Sequence, residues 1–171
     1  FAQLEKALCE GFVYTGEYAP ARQRSHGSSP HNIRWDQLVG YAQSHDQVGN
    51  RMLGERLAAL VSEERLKLAA ATVVLGPFVP MLFMGEEYGE PAPFLYFTSH
   101  GDAALIEAVR RGRREEFASF AWQGEAPDPQ AEETFARSRL CHELRHDGLH
   151  ARLYAFYKEL IRLRRTIPAL G

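Results

Sequence analysis

The chain has 171 residues, 45% of them hydrophobic and 25% charged, with a formal net charge of −2 at pH 7. That length suits one domain of ordinary size, burying roughly 70% of its unfolded surface, and that balance excludes a disordered chain. A charge so near zero supplies no general attraction to nucleic acid or to an anionic membrane.

Residues 1–10 lack the basic start and apolar core of a secretion signal. Leu4, Ala7 and Leu8 instead recur at helical spacing, with Gly11 placed to close a short helix. Gly16 to Asn32, rich in Gly, Ser, Pro, Arg and His, reads as one long loop, of a length that is usually functional or disordered. A strand is expected within Ile33–Gln43, at Leu38 to Gln43, although Gly40 is a weak strand residue. A helix follows from Ser62 to Leu75. Ser62 suits its N-cap, and Glu63 and Glu64 suit the positive end of its dipole. Leu66, Ala69, Ala70, Val73 and Val74 share one face, and Gly76-Pro77 is a strong stop.

Phe78 to Met84, FVPMLFM, is a continuous apolar run before Gly85, the pattern of a strand buried on both faces of a parallel sheet. Strand, helix and strand across residues 38–84 predict a βαβ unit with a right-handed crossover. Lys67, Gly76 and two prolines interrupt the longest apolar stretch, Leu66 to Met84, and exclude a membrane span there. Asp102 to Phe117 reads as a further helix with Gly112 as its weak point, and residues 123–133 as a polar loop. The last helix, His150 to Arg165, puts Leu153, Phe156, Tyr157, Leu160 and Ile161 on one face. Its Arg162, Arg164 and Arg165 lie near the negative end of its own dipole.

Cys9 and Cys141 are far apart and make no disulfide framework, so a reducing, cytoplasmic setting is expected. The chain starts at Phe1 without Met and stops at Gly171 just after a helical pattern, which reads as a piece of something longer. Two strands are too few for a doubly wound sheet, and a closed (β/α)8 barrel takes about 250 residues. The pattern supplies part of a parallel α/β architecture.

In such folds ligands bind where the carboxyl ends of the strands open into loops. Two polar clusters fall at those ends: His45-Asp46, within QSHDQVGNR, and Glu86-Glu87 after Gly85. Neighbouring strands would bring both to one face. A carboxylate beside an imidazole, with Gln47, Asn50 and Arg51 close by, suits a ligand with adjacent hydroxyls. Trp35, Tyr41, Phe83, Tyr88, Phe94, Tyr96 and Phe97 could offer apolar faces to sugar rings, though Phe83 and Tyr41 read better as core or wall. The simpler alternative is that Asp46 caps a turn through Gly49, and that Glu86 and Glu87 cap the segment after their strand.

Two further patterns favour structural roles. His142, His146 and His150 recur every four residues, but Asp147-Gly148 interrupts the helix and HELRH lacks the zincin spacing. The run RRGRREE, Arg110 to Glu116, carries its own acids and no aromatic platform, so it reads as a salt-bridged helix face. Arg22, Arg24 and His26 form a smaller basic group in the long loop.

SHDQVGNR followed by GERLAAL, then PMLFMGEEYGEPAPFLYFTSH and LYAFYKELIRLRRTIPAL, resembles in content and order the α-amylase family of glycoside hydrolases. Within that family it is similar to the trehalohydrolases of maltooligosyl-trehalose, and the upstream GFVYTGEYAPARQRSHG resembles the same subfamily. The likeness runs from about Phe12 to Pro168. It implies a partial (β/α)8 TIM barrel whose seventh strand ends at His45-Asp46 and whose eighth is Phe78 to Met84. Residues 1–171 would then be the C-terminal portion of one catalytic domain.

The resemblance also implies roles. Asp46 would orient the sugar at the cleavage point and help stabilise an oxocarbenium-like transition state. His45 would hydrogen-bond the same sugar, with Gln47, Asn50, Arg51 and Glu87 as further substrate ligands. Ser44 stands where the family usually has Asn. A retaining glycosidase needs two carboxyl groups roughly 5–5.5 Å apart, which the family carries on its fourth and fifth strands in motifs with Arg-x-Asp and a Glu. Arg34 and Asp36 have the first spacing but precede the His-Asp strand, so the reacting pair is expected upstream of Phe1. The implied substrate is maltooligosyl-trehalose or a related α-glucan, with no metal or organic cofactor, no nucleic acid and no membrane partner. A carbohydrate-binding remnant without catalysis and another family enzyme, such as a branching enzyme, are the alternatives.

Overall fold

The computed structural model describes residues 1–119 and 126–170. In chain order the elements are α1 (Ala2–Glu10), β1 (Tyr18–Ala19), β2 (Arg24–Ser25), β3 (Val39–Gly40), α2 (His45–Gly49), α3 (Leu57–Leu60), α4 (Glu63–Val74), β4 (Val79–Pro80), α5 (Ala103–Ser119), α6 (Glu132–Arg137) and α7 (Gly148–Thr166). α1 ends on Gly11, as its sequence predicts, and buries none of its residues.

The stretch from Gly16 to Asn32 is more ordered than a single loop. β1 and β2 pair antiparallel around a 3₁₀ turn at Pro20–Arg22. Two-residue strands are too short for alternation to show in a sequence. The Lys6–Glu17 ion pair ties this hairpin to α1, and Lys6 Nζ also donates to Thr15 Oγ1 at 3.0 Å.

The predicted βαβ unit is present. β3 and β4 run parallel, with Val39 opposite Val79 and Gly40 opposite Pro80, and α4 lies between them in the chain. Val79 N donates to Leu38 O and Met81 N to Gly40 O, at 2.8 and 2.9 Å. Both strands are shorter than Leu38–Gln43 and Phe78–Met84, and the second is not buried on both faces. Val79, Met81 and Met84 are exposed, as are Val39 and Tyr41. Parallel strands are buried when further strands and helices cover them, and among the described residues these two pair only with each other. Gly40 sits where a Cβ would come within 2.7 Å of the Phe78 ring. It serves that close approach, and the strand runs through it.

The core lies between α4 and α7, where Leu66, Ala70 and Val74 pack against Leu153, Tyr157 and Leu160. Spacings of three and four put each trio on one helical face. Ile161, expected on the same face, is exposed. Ser62 holds the N-cap position of α4 without a side-chain hydrogen bond. Glu63 in the first turn instead pairs with Lys67 at 2.7 Å and with Arg152 of α7 at 2.8 Å. Arg164 does not serve its own helix. Its guanidinium donates to the carbonyls of Val74, Gly76 and Phe78 at 2.8, 2.7 and 2.7 Å, satisfying an acceptor left open at the end of α4 and two more in the connection to β4.

Beyond β4 the chain makes a long excursion through α5 and α6 before α7 returns to the core. α5 continues unbroken through Gly112. Of the loop expected at residues 123–133, positions 123–125 lie outside the described residues, and Glu132 already begins α6. Glu90, fully buried, closes the neck of this excursion. Its carboxylate accepts from Tyr88 Oη at 2.8 Å, from Ala92 N at 2.9 Å and from Cys141 N at 2.7 Å. Among the described residues no helix is long and apolar enough to cross a membrane.

Candidate active site

After Gly40 the chain crosses to α2, whose N-cap is Ser44. The Ser44 hydroxyl accepts from Gln47 N at 3.4 Å, so the capping role considered for Asp46 belongs to Ser44. Asp46 is thereby left in the first turn with its carboxylate outward. The His45 and Asp46 side chains are 73% and 78% exposed, and His45 Nε2 lies 3.3 Å from Asp46 Oδ1.

The second strand ends in a tight reversal at Gly85, whose φ of 85° is left-handed and suits glycine best. The 3₁₀ turn Glu86–Tyr88 follows, and its two acids part ways. Glu86 is buried, with Oε1 accepting from Tyr157 Oη at 2.9 Å and Oε2 from Phe83 N at 3.2 Å. Burial raises its carboxyl above the ordinary carboxylate range, against the opposing pull of these bonds and of one from the Gln43 side chain. Glu87 stays half-buried at the same edge.

Gln43 joins the two strand ends. It is buried, its Oε1 accepts from Leu57 N at 3.0 Å, and its side chain also bonds to Glu86. The segments bearing His45-Asp46 and Glu86-Glu87 both follow the carboxyl ends of the parallel pair, and Gln43 and Glu86 line one small cavity there.

Arg56, 1% exposed, reinforces this edge from inside. Its Nε donates to Ala92 O and its Nη1 to Met84 O, both at 2.7 Å, and its guanidinium lies 4.8 Å from the centre of the Phe83 ring. Desolvation lowers its pKa, and the nearby Glu90 carboxylate opposes that shift.

The other predicted ligands divide. Gln47 and Arg51 line one cleft of about 240 Å³ together with Gln43, Glu55 and Leu57. Asn50 is exposed, but its Oδ1 accepts from Arg113 Nη1 of α5 at 3.3 Å. Of the candidate aromatic platforms, Trp35, Tyr41, Tyr96 and Phe97 keep exposed surface, and the others are partly or fully covered. Tyr88 is buried, and Phe83, Phe94 and Phe97 form an edge-to-face chain with spacings of 5.3 and 5.9 Å. Trp35 packs edge-on against Phe78 at 5.6 Å. Tyr41, read as core or wall, is exposed.

The competing patterns are occupied elsewhere. Arg34 and Asp36 bind each other at the surface. His142 to His146 form a 3₁₀ turn, and His150 Nδ1 donates to Tyr88 O at 2.8 Å. Among the described residues no three His, Cys, Asp or Glu side chains converge as metal ligands. The RRGRREE run is a salt-bridged face, with Arg110 paired to Glu107 and Asp128, and Arg111 to Glu115. Gln43, Arg56, Glu90, Arg113 and Tyr157 are the contributors that sequence reasoning missed. Each has at least one partner far along the chain, and no local pattern marks that long-range pairing.

No protein-family model matches the chain. It is 48% identical over 167 residues to malto-oligosyltrehalose trehalohydrolase of Arthrobacter ramosus, covering 96% of this chain and 29% of that one. The enzyme of the same name from Saccharolobus solfataricus is 44% identical over 160 residues, covering 94% of this chain and 27% of that one. The crystal structure of a candidate α-amylase from Salmonella typhimurium superposes with a TM-score of 0.89 at 44% identity, covering 96% of this chain and 28% of that chain. The chain spans under a third of the length of these relatives.

Proposed function

We propose that this chain, similar along nearly all of its length to malto-oligosyltrehalose trehalohydrolases, is the C-terminal portion of a (β/α)8 catalytic domain in a retaining glycoside hydrolase of the α-amylase family. β3 and β4 then serve as its seventh and eighth strands. The observation that carries this reading is the parallel pair with His45-Asp46 and Glu86-Glu87 at one carboxyl edge, bridged by Gln43. Ligand sites of parallel α/β folds lie at such edges. The two exposed free thiols, Cys9 and Cys141, fit a reducing, cytoplasmic setting.

The substrate is maltooligosyl-trehalose, cut at the α-1,4 bond next to trehalose. The Asp46 carboxylate accepts hydrogen bonds from the sugar at the cleavage point, and its charge favours the positive character that develops at the anomeric carbon. His45, 3.3 Å away, engages the neighbouring hydroxyl. Gln47 and Arg51 extend along the cleft beside α2, Glu87 adds an acceptor at the second strand end, and the Asn50 amide nitrogen remains a donor. The nucleophile and the general acid come from outside this chain. Glu86 and Glu90 are committed to the core, and Asp36 to Arg34. Such double displacement needs no metal or organic cofactor.

In the full-length protein, Asp46→Asn should lower kcat on maltooligosyl-trehalose by about 10²- to 10³-fold, the scale set by removing one electrostatic stabiliser. The thermal unfolding midpoint should stay unchanged, since the side chain is exposed. Turnover at the wild-type rate would refute the assignment.

A further inference from the structure

We propose that Arg113 is a positioning residue for the His45-Asp46 site, holding α2 in place from α5. The proposal rests on the reading above, in which Asp46 acts on the sugar. α2 has five residues, far below the length at which a helix is stable alone. Its orientation must come from its surroundings, and its first turn carries both His45 and Asp46.

The end of α2 is gripped by one side chain more than sixty positions away in sequence. Arg113 Nη2 donates to Gly49 O at 3.0 Å and Nη1 to Asn50 Oδ1 at 3.3 Å. Gly49 and Asn50 close the helix, so the guanidinium satisfies an open carbonyl where cationic charge is also favoured. The rest of the side chain is fixed. Arg113 is 12% exposed and pairs with Glu116 at 2.9 Å. Its guanidinium carbon lies 4.6 Å from the centre of the Tyr96 ring and 4.5 Å from that of Phe117.

α5 itself is anchored. Arg110 binds Asp128 through Nε and Nη2 at 3.0 and 2.7 Å, and Glu90 clamps the neck of the excursion. Through Arg113 the described part of α5 thus reaches across to α2. A planar, multi-donor guanidinium is required, because it must bond at two points while packed against aromatic rings. Displacing catalytic groups by about 1 Å can cost about 10²-fold in rate, so the grip on Gly49 and Asn50 bears on the chemistry without touching the substrate.

The test uses the full-length protein with maltooligosyl-trehalose and compares Arg113→Met, Arg113→Lys, Asp46→Asn and the Arg113→Met/Asp46→Asn double variant. Met keeps the apolar contacts with Tyr96 and Phe117 and removes the donors, and Lys offers a point charge without the fork. Both single variants at Arg113 should lower kcat by about 10- to 100-fold while KM changes by less than about threefold. In the Asp46→Asn background the Arg113→Met loss should be clearly smaller, because much of it is exerted through Asp46. Asp46→Asn with wild-type turnover would overturn the underlying reading. Impaired Asp46→Asn beside Arg113 variants of normal kcat would overturn this proposal alone. So would an Arg113→Met loss of equal size in the Asp46→Asn background, which marks a general structural role. Arg113→Lys carries the same comparison should Arg113→Met not fold.

Discussion

Glu86 and Glu87 are neighbours of the same chemistry with opposite fates. Glu86 turns inward to Tyr157, Phe83 N and Gln43, and Glu87 stays at the open edge. Its raised pKa makes Glu86 a pH-sensitive element of the fold. The folded chain holds a proton that the unfolded chain releases near the ordinary value of 4.5, so stability falls as pH rises from there through the raised value. Denaturant midpoints measured from pH 4 upward should therefore decline for the wild type relative to Glu86→Gln. Parallel curves for the two proteins would contradict it. At this scale the sequence located both acids at the strand end. It could not say which one faced the core, because the deciding partner, Tyr157, is 71 positions away.

The helices α4 and α7 were legible from periodicity, since each pattern of apolar spacing repeats for two turns or more, and α1 from a single turn of spacing closed by Gly11. The strands were legible in place and direction but not in length. Strand length depends on what covers the strand, and Val39, Val79 and Met81 are uncovered. α6 went unread because six residues with two leading acids resemble a polar loop. The α4–α7 seam supplies the clearest energetic test. Leu153 is fully buried against Leu66, Ala70 and Val74. Leu153→Ala should cost about 2–5 kcal/mol by denaturant unfolding. A loss well under 1 kcal/mol, on the order of a surface change, would show that the seam is not the core.

Across the whole molecule, the parallel pair leaves Val39, Tyr41, Val79, Met81 and Met84 exposed, and open strand edges of this kind invite pairing. The 171-residue chain by itself should therefore self-associate, as read by sedimentation velocity, and release no trehalose from maltooligosyl-trehalose. A monomer with a sharp unfolding transition and measurable hydrolysis would contradict both the proposed partial barrel and the proposal that the reacting carboxylates lie outside these residues.

The sequence by itself determined the parallel βαβ unit, the helix faces that build the core, and the two polar clusters at the strand ends. Each of these is written in contiguous residues, as a period, a stop signal or an ordered motif. The tertiary structure alone decided which polar groups became supports. Gln43, Arg56, Glu90, Arg113 and Arg164 find their partners between 14 and 90 positions away. Such pairings depend on burial and on the desolvation of charge, and those exist only once the chain has folded.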